Sequence, residues 1–97
     1  MAQVVYTQNA LENLERLFAF LSEHDPDAAA AAATAIRTAV GTLADHPLIG
    51  RRIEGEVREL VVSYGKTGYV ALYRIVPEQN LIRLLAVRHQ RDLDYPG

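Results

Sequence analysis

The stretch VRELVVSYGKTGYVALYRIVPEQNLIRLLAV, residues 57 to 87, decides the fold. Val57, Leu60, Val61 and Val62 form one β-prone run, Tyr69 to Val76 a second and Leu81 to Val87 a third. The pattern has the period of two that belongs to strands. Between the runs lie Gly65-Lys66-Thr67-Gly68 and Pro77-Glu78-Gln79-Asn80, both rich in residues that suit hairpin turns. Three consecutive antiparallel strands are predicted, with a meander as the simplest topology.

Upstream the period changes. Leu11, Leu14, Leu17, Phe18 and Leu21 recur at helical spacing after the short β-prone run Val4-Val5-Tyr6, so a strand leads into an amphipathic helix from about Gln8 to Glu23. Thr7 and Asn9 are both candidate caps, and Asn9 has Glu12 three residues on in the capping-box arrangement. Asp25-Pro26 starts a second helix, because aspartate accepts from an orphan amide and proline fits the first helical position. That helix runs through the six alanines of 28 to 33, carries Ile36, Val40 and Leu43, and stops before Pro47. Only about two residues separate the helices, which predicts an antiparallel hairpin. Residues Leu48 to Gly55 read as irregular and basic, with Arg51 and Arg52 after Gly50. The expected fold class is α+β: an N-terminal strand and a two-helix hairpin packed on an antiparallel sheet with a C-terminal three-stranded meander. The first strand joins an edge or the middle.

With 97 residues the chain closes one core, so residues 1–97 are read as a single domain. Apolar residues at 49% and charged residues at 23% are ordinary globular usage, which removes disorder and coiled coil. No cysteine means no disulfide, thiolate metal site or cysteine nucleophile. The alanine run is far short of the roughly 20 apolar residues that span a bilayer, so no membrane association is expected. Met1 to Gln8 lacks the pattern of a signal peptide, and the cytoplasm is the expected location.

Residues 1 to 50 hold two arginines against six acids, net −4, whereas residues 51 to 97 hold eight basic residues against six acids, net +2. Any anion-facing surface is therefore expected in the second half. A pI near 5.9 does not favour a binder that lives on many phosphate contacts. His24, His46 and His89 lack the spacing of a metal motif, and no metal or cofactor is expected. The acids Glu12, Glu15, Glu54, Glu56 and Glu59 fit solvent-facing positions. Arg88-His89-Gln90-Arg91, closed by Tyr95, is the one dense group of functional side chains, and such a group suits phosphate binding beside a proton-donating imidazole.

The order strand, helix, helix, three strands carries a further series of motifs. These are Asp25-Pro26-Asp27-Ala28-Ala29, Pro47 running into Gly50-Arg51, Arg58-Glu59-Leu60, Gly68-Tyr69-Val70 to Tyr73-Arg74, and Ala86-Val87-Arg88-His89-Gln90-Arg91. Over nearly its whole length the chain resembles the RelE/ParE toxins of type II toxin–antitoxin modules. The resemblance implies one of two activities: ribosome-dependent cleavage of messenger RNA, as in RelE-like members, or inhibition of DNA gyrase without nuclease activity, as in ParE-like members. RelE-like members project lysines from the first strand of the meander, place an arginine after the Gly-Tyr of the next strand, and use an arginine and a tyrosine near the C-terminus. Here the first strand offers Arg58 but no lysine and Val70 follows Gly68-Tyr69, while Arg91 and Tyr95 match.

The resemblance thus favours the ParE-like activity, a gyrase inhibitor rather than an enzyme, with Arg51, Arg58, Arg88 and Arg91 as the target-binding surface. The alternative, a metal-independent ribonuclease acting on messenger RNA in the ribosome, would use Arg58, His89, Arg91 and Tyr95. In either case the resemblance implies a hetero-oligomer with a cognate antitoxin, whose helix would lie on Leu14, Leu17, Phe18, Leu21, Ile36 and Val40.

Overall fold

The computed structural model describes residues 1–64 and 67–90. Five strands and two helices follow in the order β1 (Gln3–Tyr6), α1 (Gln8–His24), α2 (Pro26–Gly41), β2 (Arg51–Glu54), β3 (Val57–Tyr64), β4 (Thr67–Val76) and β5 (Leu81–His89). One sheet contains all five strands in the order β1-β5-β4-β3-β2. The meander β3-β4-β5 is antiparallel throughout, as its turn residues predict. Asn80, at φ 50°, closes the second turn in the left-handed conformation that asparagine tolerates better than most residues.

Two features of the sheet differ from expectation. First, β1 lies at the edge and pairs parallel to β5, Val4 opposite Ile82 and Tyr6 opposite Leu84, so the sheet is mixed rather than purely antiparallel. The helical excursion makes this possible, because a parallel partner can be reached only through a long crossover connection. Second, Arg51–Glu54, within the segment read as irregular, forms the opposite edge strand, pairing with β3 through a bulge between Arg52 and Glu54. All four of its residues are exposed, so the strand shows no apolar alternation. Its turn depends on Gly55, at φ 53°, a conformation glycine adopts at little cost.

Both helices start where the sequence marks them. Of the two cap candidates for α1, Thr7 takes the role, its hydroxyl oxygen accepting from Ala10 N at 3.2 Å while donating to Leu84 O at 2.7 Å. Asn9 lies inside the helix, and its amide donates to Leu85 O at 2.9 Å. The register of β4 and β5 slips between Leu72 and Tyr73, leaving Leu85 unpaired in the ladder. Polar residues of α1 satisfy the backbone groups freed there, since Asn13 Oδ1 also accepts from Val87 N at 3.0 Å. Asp25 caps α2, accepting from Asp27 N and Ala28 N at 3.1 and 3.2 Å.

The helices cover one face of the sheet. Ile36, Val40, Leu43 and the small Ala10 and Ala32 pack there with Val62, Tyr69, Tyr73, Ile82, Leu84 and Val87. Each large apolar side chain sealed in this layer is worth about 1.5–3 kcal/mol. Alternation along the strands sends the intervening residues to the other face, which no helix among the described residues covers. No helix among the described residues is long and apolar enough to cross a membrane.

Candidate functional site

Loop 47–50 sits at the β2 side of the sheet and is fastened from below. Tyr73, itself fully buried, donates from its hydroxyl to Pro47 O at 2.7 Å and accepts from Gly50 N at 3.0 Å. Burial raises the Tyr73 pKa above its usual 10.0, opposed by the bond from Gly50 and by the nearby Arg58. Gly50 allows the close approach, because a Cβ there would stand 2.6 Å from both Glu59 O and the Tyr73 hydroxyl. Arg58 completes the fastening, donating from Nη1 to Gly50 O at 2.8 Å and Leu48 O at 3.2 Å.

On the uncovered face this loop borders an open cleft of about 530 Å³, lined by Ile49, Arg51, Glu59, Val61 and Gln90 among others. Arg51 is exposed and ion-paired to Glu59, so the cation and carboxylate of the cleft neutralise each other. Val70, at 7% exposure, and Ala86, at 5%, form apolar floor on the same face. Arg88 stands opposite Val70 in the β4–β5 ladder and is exposed. Phosphate chemistry needs unspent cationic donors converging on one point. Among the described residues the cleft has a single lining arginine, already paired.

The candidate residues separate accordingly. Arg51 and Arg88 lie on the uncovered face, whereas Arg58 is turned to the backbone of loop 47–50. His89 is half-buried and meets Tyr69 edge-on, ring centroids 5.5 Å apart, which places it on the Tyr69 side of the sheet rather than with Arg88. Arg58 pairs with Tyr73 and His89 with Tyr69, four positions apart on β4, a separation of roughly 13 Å along the strand. These two members of the ribonuclease set are therefore not brought together. Arg91 and Tyr95 lie outside the described residues. Among the described residues no group of histidine, aspartate and glutamate side chains could hold a metal ion.

On the helical hairpin, Leu14, Leu17 and Leu21 are half-buried against the core, and Phe18 is 44% exposed. Ile36 and Val40, at 1% and 0% exposure, pack as core side chains, and Ile36 also lines the groove beside Leu14. The exposed apolar surface includes Leu11 and, at 61%, Phe20. Leu11 was signalled by the helical spacing; Phe20 falls off that stripe, and an aromatic residue on the polar side is the only mark it carries. A shallow groove of about 260 Å³ runs between Tyr6, Leu11, Leu14 and Ala33. Burial raises the Tyr6 pKa there, with Arg37 opposing.

A helical hairpin packed on one face of a small mixed sheet is an architecture shared with several solved toxin–antitoxin proteins. Over 92% of this chain the fold matches 96% of a chain from the chromosomal ParDE system of P. aeruginosa, with a TM-score of 0.74 at 22% identity. It also matches 98% of a chain from the Mycobacterium tuberculosis RelBE2 toxin–antitoxin complex, with a TM-score of 0.59 at 28% identity over 92% of this chain. Residues 4–94 match the ParE toxin of the type II toxin–antitoxin system parDE, and the chain belongs to that family. Similar relatives include Toxin RelE2 of Caulobacter vibrioides, 35% identical over 92% of this chain and 96% of the relative. Toxin RelE3 of the same organism is 36% identical over 92% and 95%.

Proposed function

We propose that this chain is a toxin that acts by direct protein contact, with DNA gyrase as its target, and that a cognate antitoxin silences it by covering the helical hairpin. The observation that carries the reading is the use already made of the cations at the cleft. Arg51 is neutralised by Glu59 and Arg58 is bonded to two carbonyls, so among the described residues that line the cleft no converging cationic set is left for a phosphorane transition state. A protein surface has no such requirement, since binding rests on buried apolar area with charge at the rim. The antitoxin-facing residues under this reading are Leu14, Leu17, Phe18 and Leu21, extended by the exposed Leu11 and Phe20.

The test is a supercoiling assay with purified gyrase, run beside a translation-coupled assay of messenger RNA integrity on the same preparation. Inhibited supercoiling with intact message is the expected result. Cut message with normal supercoiling would replace this reading with the ribonuclease one and direct attention to Arg88, His89 and the residues beyond.

A further inference from the structure

A second cationic feature lies on the uncovered face, away from the cleft. In the β4–β5 ladder Arg74 stands directly opposite Arg83. Their neighbours Tyr73, Ile82 and Leu84 are sealed beneath the helices, so alternation turns both arginines to the uncovered face, where both are exposed. The row continues to Val57 on β3 and Val5 on β1, and the next row along holds Val76 opposite Leu81. A pair of arginines is thus framed by aliphatic side chains.

Like charges directly opposite each other across strands work against the fold. No described residue nearby relieves them. Among the described residues neither arginine has a hydrogen bond or an ion pair. Glu59, diagonal to Arg74, is held by Arg51, and Glu54, opposite Val57, lies two strands from Arg74, roughly 10 Å away.

We infer that the Arg74–Arg83 pair is a docking site for an acidic protein segment, its carboxylates taken by the two guanidinium groups and its apolar side chains by Val5, Val57, Val76 and Leu81. Guanidinium binds carboxylate bidentately, and two forks side by side fit two carboxylates on one extended segment. Charge and frame favour protein over nucleic acid: two arginines offer few phosphate contacts, the chain carries net charge −2, and an aliphatic border adds nothing to a phosphate backbone. The inference is separate from the choice of gyrase or messenger RNA as target.

The test follows the arginine Nε–Hε resonances of the full chain by NMR during titration with the peptide Val-Ser-Glu-Ser-Glu-Ser-Val, whose extended form turns both glutamates and both valines to one face. Controls are the peptide with glutamine for glutamate and a single-stranded oligodeoxynucleotide of equal charge. The glutamate peptide is expected to shift Arg74 and Arg83 saturably, and Arg74→Gln or Arg83→Gln to weaken its binding about three- to fivefold, the scale of one exposed charge pair. Arg16→Gln, on the exposed side of α1, should leave the affinity unchanged, and preserved amide spectra show that the variants fold. Equal binding of the glutamine peptide, indifference to both substitutions, or tighter binding of the oligonucleotide would each overturn the inference.

Discussion

The two faces of the sheet are made from the same strands, yet they treat arginine in opposite ways. Beneath the helices, next to fully buried Tyr73, Arg58 is accommodated because two loop carbonyls take its charge. On the uncovered face Arg74, Arg83 and Arg88 stand exposed, and among the described residues only Arg51 has an acidic partner there. Burial compels each polar group on the first face to be satisfied within the fold. The second face is under no such demand, so its charges remain available for something outside the chain. Recognition is expected where packing leaves side chains uncommitted.

The sharpest way to break this comparison is a core truncation. Ile36→Ala should cost about 2–5 kcal/mol in urea unfolding, since Ile36 is sealed between α2 and the sheet. A loss within about 0.5 kcal/mol, the scale of an ordinary surface change, would return Ile36 to the binding surface.

Next in size is the fastening of the loop. Tyr73→Phe removes a bond in each direction and leaves the buried Gly50 N–H without its partner, a cost of about 1–3 kcal/mol. Stability against pH sharpens the point. Tyr73 has its folded pKa raised, mainly by burial, so its stabilising contribution is complete below pH 10.0 and is lost as pH rises through the folded value. Wild type should therefore weaken at alkaline pH more steeply than Tyr73→Phe, with Tyr6, also raised by burial, supplying the remaining slope. Parallel profiles would mean that Tyr73 ionises as easily folded as unfolded.

Thr7→Ala should cost about 0.5–2 kcal/mol in the same assay, because Thr7 caps α1. Asn9→Ala leaves that cap in place, and a larger effect there than at Thr7 would show that the tie to the Leu85 bulge outweighs the cap. The smallest effect belongs to Glu59→Gln, within about 1 kcal/mol, as expected for an ion pair whose arginine is 79% exposed. Thermal unfolding at low and high salt would measure it; a larger loss would make Glu59 part of the structural fastening.

Much of the architecture was legible before any coordinates. The period of two after Val57, the helical spacing after Thr7 and the Asp25-Pro26 start are local signals, and each element stands close to where they place it, although α2 ends at Gly41 and Leu43 follows in a separate short 3-10 turn. β2 was hidden because Arg51 to Glu54 has no buried side and so no alternation; its partner β3 makes it a strand. At the candidate site the basic residues were visible, but the face each one occupies was not. Arg58 reads like Arg51 in one dimension, and only the approach of loop 47–50 to Tyr73 commits one while the other stays at the surface.

By itself, then, the sequence determined the elements, their caps and the charge asymmetry of the two halves, because those depend on neighbours within a turn or two of chain. The tertiary structure decided the parallel placement of β1, the existence of β2, the core role of Ile36 and Val40, and the meeting of Arg74 with Arg83. Each of these depends on register between segments distant in sequence, where a shift of one residue would send every side chain to the opposite face.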